Sequence, residues 1–348
     1  MRAEELLRGM VEIPSVSGDE RAVAEYLAAA LPDWGFASHL DEVGNAIGRR
    51  GDPAGPMIVL LGHLDTVPGD IPVRQEGRIL HGRGTVDAKG PLATMVCAAA
   101  RADLGGAQVV VAGVVGEETD GHGALHLSRC FSPAAAVVGE PNGWAGIGIG
   151  YKGRVTFEYA VQRPPSHTAS DQEKAAEVAV AYWNRLQDHL AGARGQRAFD
   201  RPIATLPRMA GGIERAELAV SCRIPPGFDI AAFEAFLGGA GDGGVVAVED
   251  RTPAVLVPTD APTVRALCAG VRARGGRPKL KVKTGTADLN VVAERWHVPM
   301  AVYGPGDSRL DHTDHEHLDL DEYGTAIEVL TDAVQALAAQ LTDLRYAA

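Results

Sequence analysis

Five short segments of this chain carry side chains that bind hard or borderline divalent cations. They are Gly62-His63-Leu64-Asp65-Thr66-Val67-Pro68, Gly82-Arg83-Gly84-Thr85-Val86-Asp87-Ala88-Lys89-Gly90, Gly116-Glu117-Glu118, Gly139-Glu140-Pro141 and Asp311-His312-Thr313-Asp314. The carboxylates of Asp87, Glu118 and Glu140 with the imidazoles of His63 and His312 form a donor set large enough for two metal ions that share a carboxylate. Asp65 and Glu117 stand beside these ligands as surplus carboxylates. A structural metal site needs no such surplus, whereas a hydrolytic one needs a base next to an open coordination position.

Each segment suggests a task. Asp65, two residues beyond His63, can orient that ring through its second nitrogen and fix the tautomer. Asp87 lies in a Gly-rich turn, where a carboxylate can bridge two ions. Neighbouring Glu117 and Glu118 repel, so burying both at a strand end is costly without cations nearby. One of the two can bind metal while the other accepts a proton from water, and Glu140 before Pro141 would be a terminal ligand. The last segment runs on to His315, Glu316 and His317, so three histidines compete for one ligand position. His312 is favoured because it follows the Gly304-Pro305-Gly306 turn most closely.

The elements that must position these groups follow from hydrophobic periodicity. Leu6, Leu7, Met10 and Val11 predict a first helix that Pro14 ends. Ser17-Gly18-Asp19-Glu20 has the form of a capping box for a second helix carrying Val23, Tyr26, Leu27 and Ala30. Continuous apolar runs at Met57 to Leu61, Gln108 to Val115 and Ala134 to Val138 predict strands buried on both faces, and Lys89 to Arg101 predicts a helix. Three ligand segments begin where such a strand stops, the carboxyl edge on which open α/β sheets build their sites. Gly82-x-Gly84 and Gly146-x-Gly148-x-Gly150 lack dinucleotide-binding spacing and predict tight turns.

The texture changes near residue 150. Arg154 to Gln162 alternates as a half-exposed strand. After it come a helix at Glu173 to Leu190, an Arg/Gly-rich loop, strands near 204–209 and 216–224, a helix at Asp229 to Leu237 and a strand at Val245 to Glu249. This β-α-β-β-α-β order predicts a ferredoxin-like α+β domain over 150–257, inserted into an α/β mixed-sheet domain formed by 1–149 and 258–348. Near Pro258 the first texture returns, with helices at Ala261 to Arg274 and Tyr323 to Leu341 and strands at Leu280 to Lys283 and Met300 to Tyr303.

Composition narrows the function. A net charge of −12 argues against nucleic acid as the main partner. No apolar run is long enough to span a bilayer, and four scattered cysteines suit reduced thiols, so a cytoplasmic protein is expected.

With its five segments in this order, the chain resembles the M20 metallopeptidase/aminoacylase family along nearly its whole length. The resemblance implies a zinc-peptidase-like catalytic domain with an inserted lid and dimerisation domain, hence a homodimer. It implies two zinc ions per subunit, with cobalt as a possible substitute. His63, Asp87 and Glu140 would hold one ion, and Asp87, Glu118 and His312 the other. Asp65 would orient His63, and Glu117 would be the general base. It further implies that His167, in Pro164-Pro165-Ser166-His167-Thr168, polarises the scissile carbonyl, and that Arg223 grips a substrate carboxylate.

Within the family, four stretches resemble carrier-protein-linked lysine/ornithine hydrolases of lysine and arginine biosynthesis. They are Gly150-Tyr151-Lys152-Gly153-Arg154, Arg163-Pro164-Pro165, Lys283-Thr284-Gly285-Thr286-Ala287-Asp288-Leu289-Asn290 and Tyr303-Gly304-Pro305-Gly306-Asp307-Ser308. Such enzymes release lysine or ornithine from the γ-carboxyl of a C-terminal glutamate on a small acidic carrier protein. The rival expectations are an N-acetyl-ornithine or N-acetyl-lysine deacetylase and a dimetal carboxypeptidase. Lys279, Lys281 and Lys283 alternate along a strand, which would place all three on one face suited to an acidic partner.

Overall fold

Hydrophobic runs with no polar alternation become the parallel centre of a mixed sheet. The structure, a computed structural model, describes residues 2–192 and 197–347. Strands Gln108–Val114, Met57–His63, Ala135–Gly139 and Met300–Tyr303 lie side by side in that order, all parallel. They are buried along almost their full length, as strands covered on both faces must be. Ala46–Gly51 and then Ala37–Leu40 continue the sheet antiparallel on one side, and Gly146–Tyr151 does so on the other. Helices Lys89–Arg101 and Pro262–Ala273 both pack against helix Leu320–Ala347, and all three pack against these strands. A small antiparallel sheet of Arg74–Glu76, Ile79–His81 and His317–Asp319 joins the segments that carry Asp87 and His312.

Among the described residues, packing divides the chain into two compact units. One is drawn from 1–149, 257–281 and 291–348, the other from 150–256 and 282–290. The second unit holds an antiparallel sheet in the order Ile203–Gly211, Arg215–Ile224, Gly153–Gln162, Val245–Thr252. Its two long central strands alternate buried and half-buried positions, and helices Ala175–Ala191 and Ile230–Gly239 contribute to its core. That strand order with those helices is the ferredoxin-like arrangement. The Arg/Gly-rich loop expected after the first of these helices falls on 193–196, outside the described residues.

Several sequence expectations need correction. Gly146-x-Gly148-x-Gly150 is a fully buried strand instead of a tight turn. Its glycines are required by crowding, since a Cβ on Gly146 would lie 2.0 Å from the Asn142 carbonyl and one on Gly148 2.8 Å from Val302 Cβ. The expected capping box does not form. Glu20 occupies the N-cap with no side-chain cap bond, and the Ser17 hydroxyl donates to Asp65 Oδ2 at 2.8 Å. Residues 282–290 pack with the inserted unit. Asn290 holds them there, donating through Nδ2 to the carbonyls of Lys152 at 3.1 Å and Pro253 at 2.8 Å. Strands Ala37–Leu40 and Ala46–Gly51 and helix His122–Cys130 lacked a strong enough pattern to be anticipated. Cys97 and Cys222 are buried, Cys268 is half-buried, Cys130 is exposed, and all four are free thiols. No helix among the described residues is long and apolar enough to cross a membrane.

Candidate metal centre

Each central parallel strand delivers a ligand-type residue at its carboxyl end. His63 is the last residue of Met57–His63, and Glu117 and Glu118 follow Gln108–Val114 after a left-handed glycine turn at Gly116, φ 75°. Glu140 follows Ala135–Gly139 directly, and the loop after Met300–Tyr303 leads to His312. Parallel pairing keeps these ends level, with Gly62 in register with both Gly113 and Gly139. Asp87 arrives from the turn before helix Lys89–Arg101.

The groups converge. His63, Asp87 and Glu140 offer ligand atoms within 4.8 Å of one another, as do Asp87, Glu118 and His312, and as do His63, Glu117 and Glu118. Asp87 lies between the two histidines: His63 Nε2 is 3.1 Å from its Oδ1, and His312 Nε2 is 3.2 Å from its Oδ2. His312 Nε2 also lies 3.0 Å from Glu118 Oε1. His312 has φ 60°, a conformation costly for any residue with a Cβ and one that concentrates at functional positions. His315 is exposed, and His317 packs its ring beside His81 in the small sheet.

Asp65 is fully buried and acts mainly on the backbone. Its Oδ1 accepts from Glu117 N at 3.1 Å, and its Oδ2 accepts from Glu118 N at 3.0 Å and from the Ser17 hydroxyl. The His63 ring donates from Nδ1 to the Asp65 main-chain carbonyl at 2.9 Å, with the Asp65 carboxylate 3.5 Å away. That bond keeps a proton on Nδ1, so Nε2, which faces Asp87 at 3.1 Å, is the nitrogen a cation would take once its own proton is displaced.

The electrostatics are those of crowded carboxylates relieved by imidazolium. Burial, the largest influence on His63, disfavours its charged form, yet the bonds to Asp65 and Asp87 outweigh it and raise its pKa well above the ordinary value. His312 is pushed up to about 9, first by its hydrogen bond to Asp87. Burial opposes ionisation of Asp87, but hydrogen bonds from His312 and His63 hold it well below the usual carboxylate range. Burial and then the Asp87 charge raise Glu118. Oxygen and imidazole donors that need positive charge to coexist fit divalent cations.

His167 and Arg223 belong to the second unit. His167 is exposed in a turn, where its Nδ1 accepts from Ala169 N at 3.1 Å. Arg223 is half-buried on strand Arg215–Ile224 and donates to Thr286 Oγ1 at 2.6 Å. Of the three lysines, only Lys279 is exposed. Lys281 donates to the Asn142 carbonyl at 2.6 Å, and Lys283 lies over the Tyr151 ring. Sequence reasoning passed over Glu316 and Arg83, a pair buried against the Asp87 turn. Separated by more than two hundred residues, they left no local signal.

The profile of peptidase family M20/M25/M40 matches residues 59–336. A LysW-lysine hydrolase from Deinococcus radiodurans is 43% identical over 96% of this chain and 97% of its own. A LysW-lysine/LysW-ornithine hydrolase from Saccharolobus islandicus is 27% identical over 97% of this chain and 96% of its own. The crystal structure of aminopeptidase PepT from Bacillus cereus superposes with a TM-score of 0.81 over 97% of this chain and 98% of that one. At 18% identity, that likeness concerns the fold alone.

Proposed function

Because this chain belongs to peptidase family M20/M25/M40, we propose that it is a dimetal amidohydrolase that releases lysine or ornithine from a glutamate γ-carboxyl on a small acidic carrier protein. The observation that carries the chemistry is Asp87, whose two oxygens face His63 and His312 separately, as a shared carboxylate requires. The carrier-linked substrate rests on the 43% identity to the Deinococcus radiodurans LysW-lysine hydrolase across almost the full length of both chains.

In this reading His63, Asp87 and Glu140 hold one cation, and Asp87, Glu118 and His312 the other, zinc in both positions with cobalt as a substitute. Such a pair would lower the pKa of bound water toward about 7 and polarise the scissile carbonyl. Asp65 holds the backbone of Glu117 and Glu118, so both carboxylates project from a fixed turn. Glu117, half-buried beside His63 and Glu118, takes the proton of the attacking water and returns it to the leaving amine nitrogen. His167 assists at the scissile carbonyl and Arg223 grips a substrate carboxylate, both from a lid that also forms a homodimer. The enzyme works in the cytoplasm, where the products feed lysine or arginine biosynthesis.

The deciding assay compares carrier-linked lysine, carrier-linked ornithine and N-acetyl-lysine as substrates of the purified zinc-loaded enzyme. Turnover of a carrier-linked amino acid far above that of N-acetyl-lysine is expected. Preference for the acetylated amino acid would make the protein a deacetylase of the same chemistry instead.

A further inference from the structure

Glu316 is a completely buried carboxylate that the reaction itself does not use. Both its oxygens are committed. Oε1 accepts from two successive backbone amides, Val86 N at 2.8 Å and Asp87 N at 3.1 Å. Oε2 accepts from Arg83 Nη1 at 2.9 Å, and Arg83 Nη1 also donates to the Thr313 carbonyl at 3.0 Å. The Glu316 carbonyl accepts from Gly82 N at 3.3 Å, where the two segments enter the small antiparallel sheet. One ion pair thus ties the turn carrying Asp87 to the loop carrying His312.

A buried charge of this kind is a poor way to gain stability alone, since an apolar pair of similar volume often does as well. Its geometry suits positioning better. A carboxylate accepting from adjacent amides fixes the Asp87 peptide plane, and the guanidinium bridging to Thr313 fixes the main chain one residue past His312. Asp87 and His312 are the two residues whose separation, 3.2 Å between Oδ2 and Nε2, must be held if they are to serve one cation together.

We propose that Glu316, held by Arg83, is a positioning residue that locks the two loops into one rigid ligand frame and so sets the metal affinity at the position shared by Asp87, Glu118 and His312. The proposal rests on the dimetal reading. Glu316→Gln keeps an acceptor for the amides but removes the charge facing Arg83. Arg83→Lys keeps the charge but loses the planar reach to Thr313.

The test measures zinc(II) affinity by chelator competition on wild type, Glu316→Gln, Glu316→Ala and Arg83→Lys, alongside kcat, KM and the melting temperature of the metal-stripped proteins. Loss of a ligand's outer support typically costs about 10–100-fold in metal affinity or activity. Both Glu316 variants should therefore bind one of the two zinc ions about 10–100-fold less tightly, with a matching fall in kcat at limiting zinc and KM within about 3-fold. Restoring kcat with excess zinc would identify the defect as affinity. Arg83→Lys should fall between them and wild type. If Glu316→Ala does not fold, the Gln and Lys variants carry the comparison. Unchanged zinc affinity in variants whose metal-free melting temperature has dropped would make the pair merely structural and overturn the proposal. If wild type binds no second zinc, the dimetal reading fails first, which is distinct from a wild type and a Glu316→Gln variant that bind two equally well.

Discussion

At the scale of the residue, the candidate centre is governed by how each charge is balanced by its neighbours. Glu117 and His63 stand close together but are assigned different tasks, and substitution separates them. Glu117→Ala should retain bound metal while losing about 10²–10⁴-fold in kcat, the range of a lost general base. His63→Ala should lose metal as well, with elemental analysis beside the activity assay as the check. His312 supports a pH prediction of definite sign. Its pKa, about 9 in the metal-free protein, means that it is protonated at neutral pH, so a cation must displace that proton. Zinc binding should therefore release protons near pH 7.5 and tighten as pH rises toward 9, measurable by calorimetry in buffers of different ionisation enthalpy. Metal-free stability runs the other way. A pKa raised above the ordinary 6.5 gives a contribution complete below that value and lost as pH rises through about 9.

At the scale of the element, level strand ends explain why a site assembles from distant segments. Parallel register sets Gly62 beside Gly113 and Gly139, so the residues that follow emerge along one edge. The glycine-rich strand Gly146–Tyr151 shows the limit of composition as a guide, because the same glycines that suggest turns also permit close strand packing. Gly146→Ala should therefore destabilise the protein by about 1–3 kcal/mol, because its methyl group would meet the fixed Asn142 carbonyl. A shift in the urea midpoint with unchanged slope would show it. The second helix teaches a related lesson. Ser17 and Glu20 have capping-box spacing, but the Ser17 hydroxyl donates instead to the buried Asp65 carboxylate, a charge-assisted bond, and the helix begins only at Arg21.

At the scale of the whole molecule, the chain builds two units and returns to the second after leaving it. Residues 282–290 come back to pack with 150–256, and Asn290 ties them there together with the Arg223–Thr286 hydrogen bond. Asn290 is fully buried, bonds two carbonyls through Nδ2, and accepts from Ala287 N at 3.0 Å. Asn290→Ala would strand two buried polar groups, the Lys152 carbonyl and the Ala287 amide, and should cost on the order of 3 kcal/mol, with hydrogen exchange rising first at Ala287, whose N–H loses its acceptor.

Much was legible in the sequence because it depends on local pattern. Apolar runs without alternation specify strands covered on both faces, so the central strands were readable to within a residue or two. The half-buried alternation of Arg154 to Gln162 separated the inserted unit from its host. His63, Asp87, Glu117, Glu118, Glu140 and His312 could be named from residue type and from their place after strands and turns. Tertiary structure alone decided which atoms meet: that Asp87 lies between two histidines, that His312 and neither His315 nor His317 faces Glu118, and that Arg83 finds Glu316. These are contacts between residues tens to hundreds of positions apart. Hydrophobic periodicity reports which face of an element is buried, but it carries no record of which distant polar group will be waiting there.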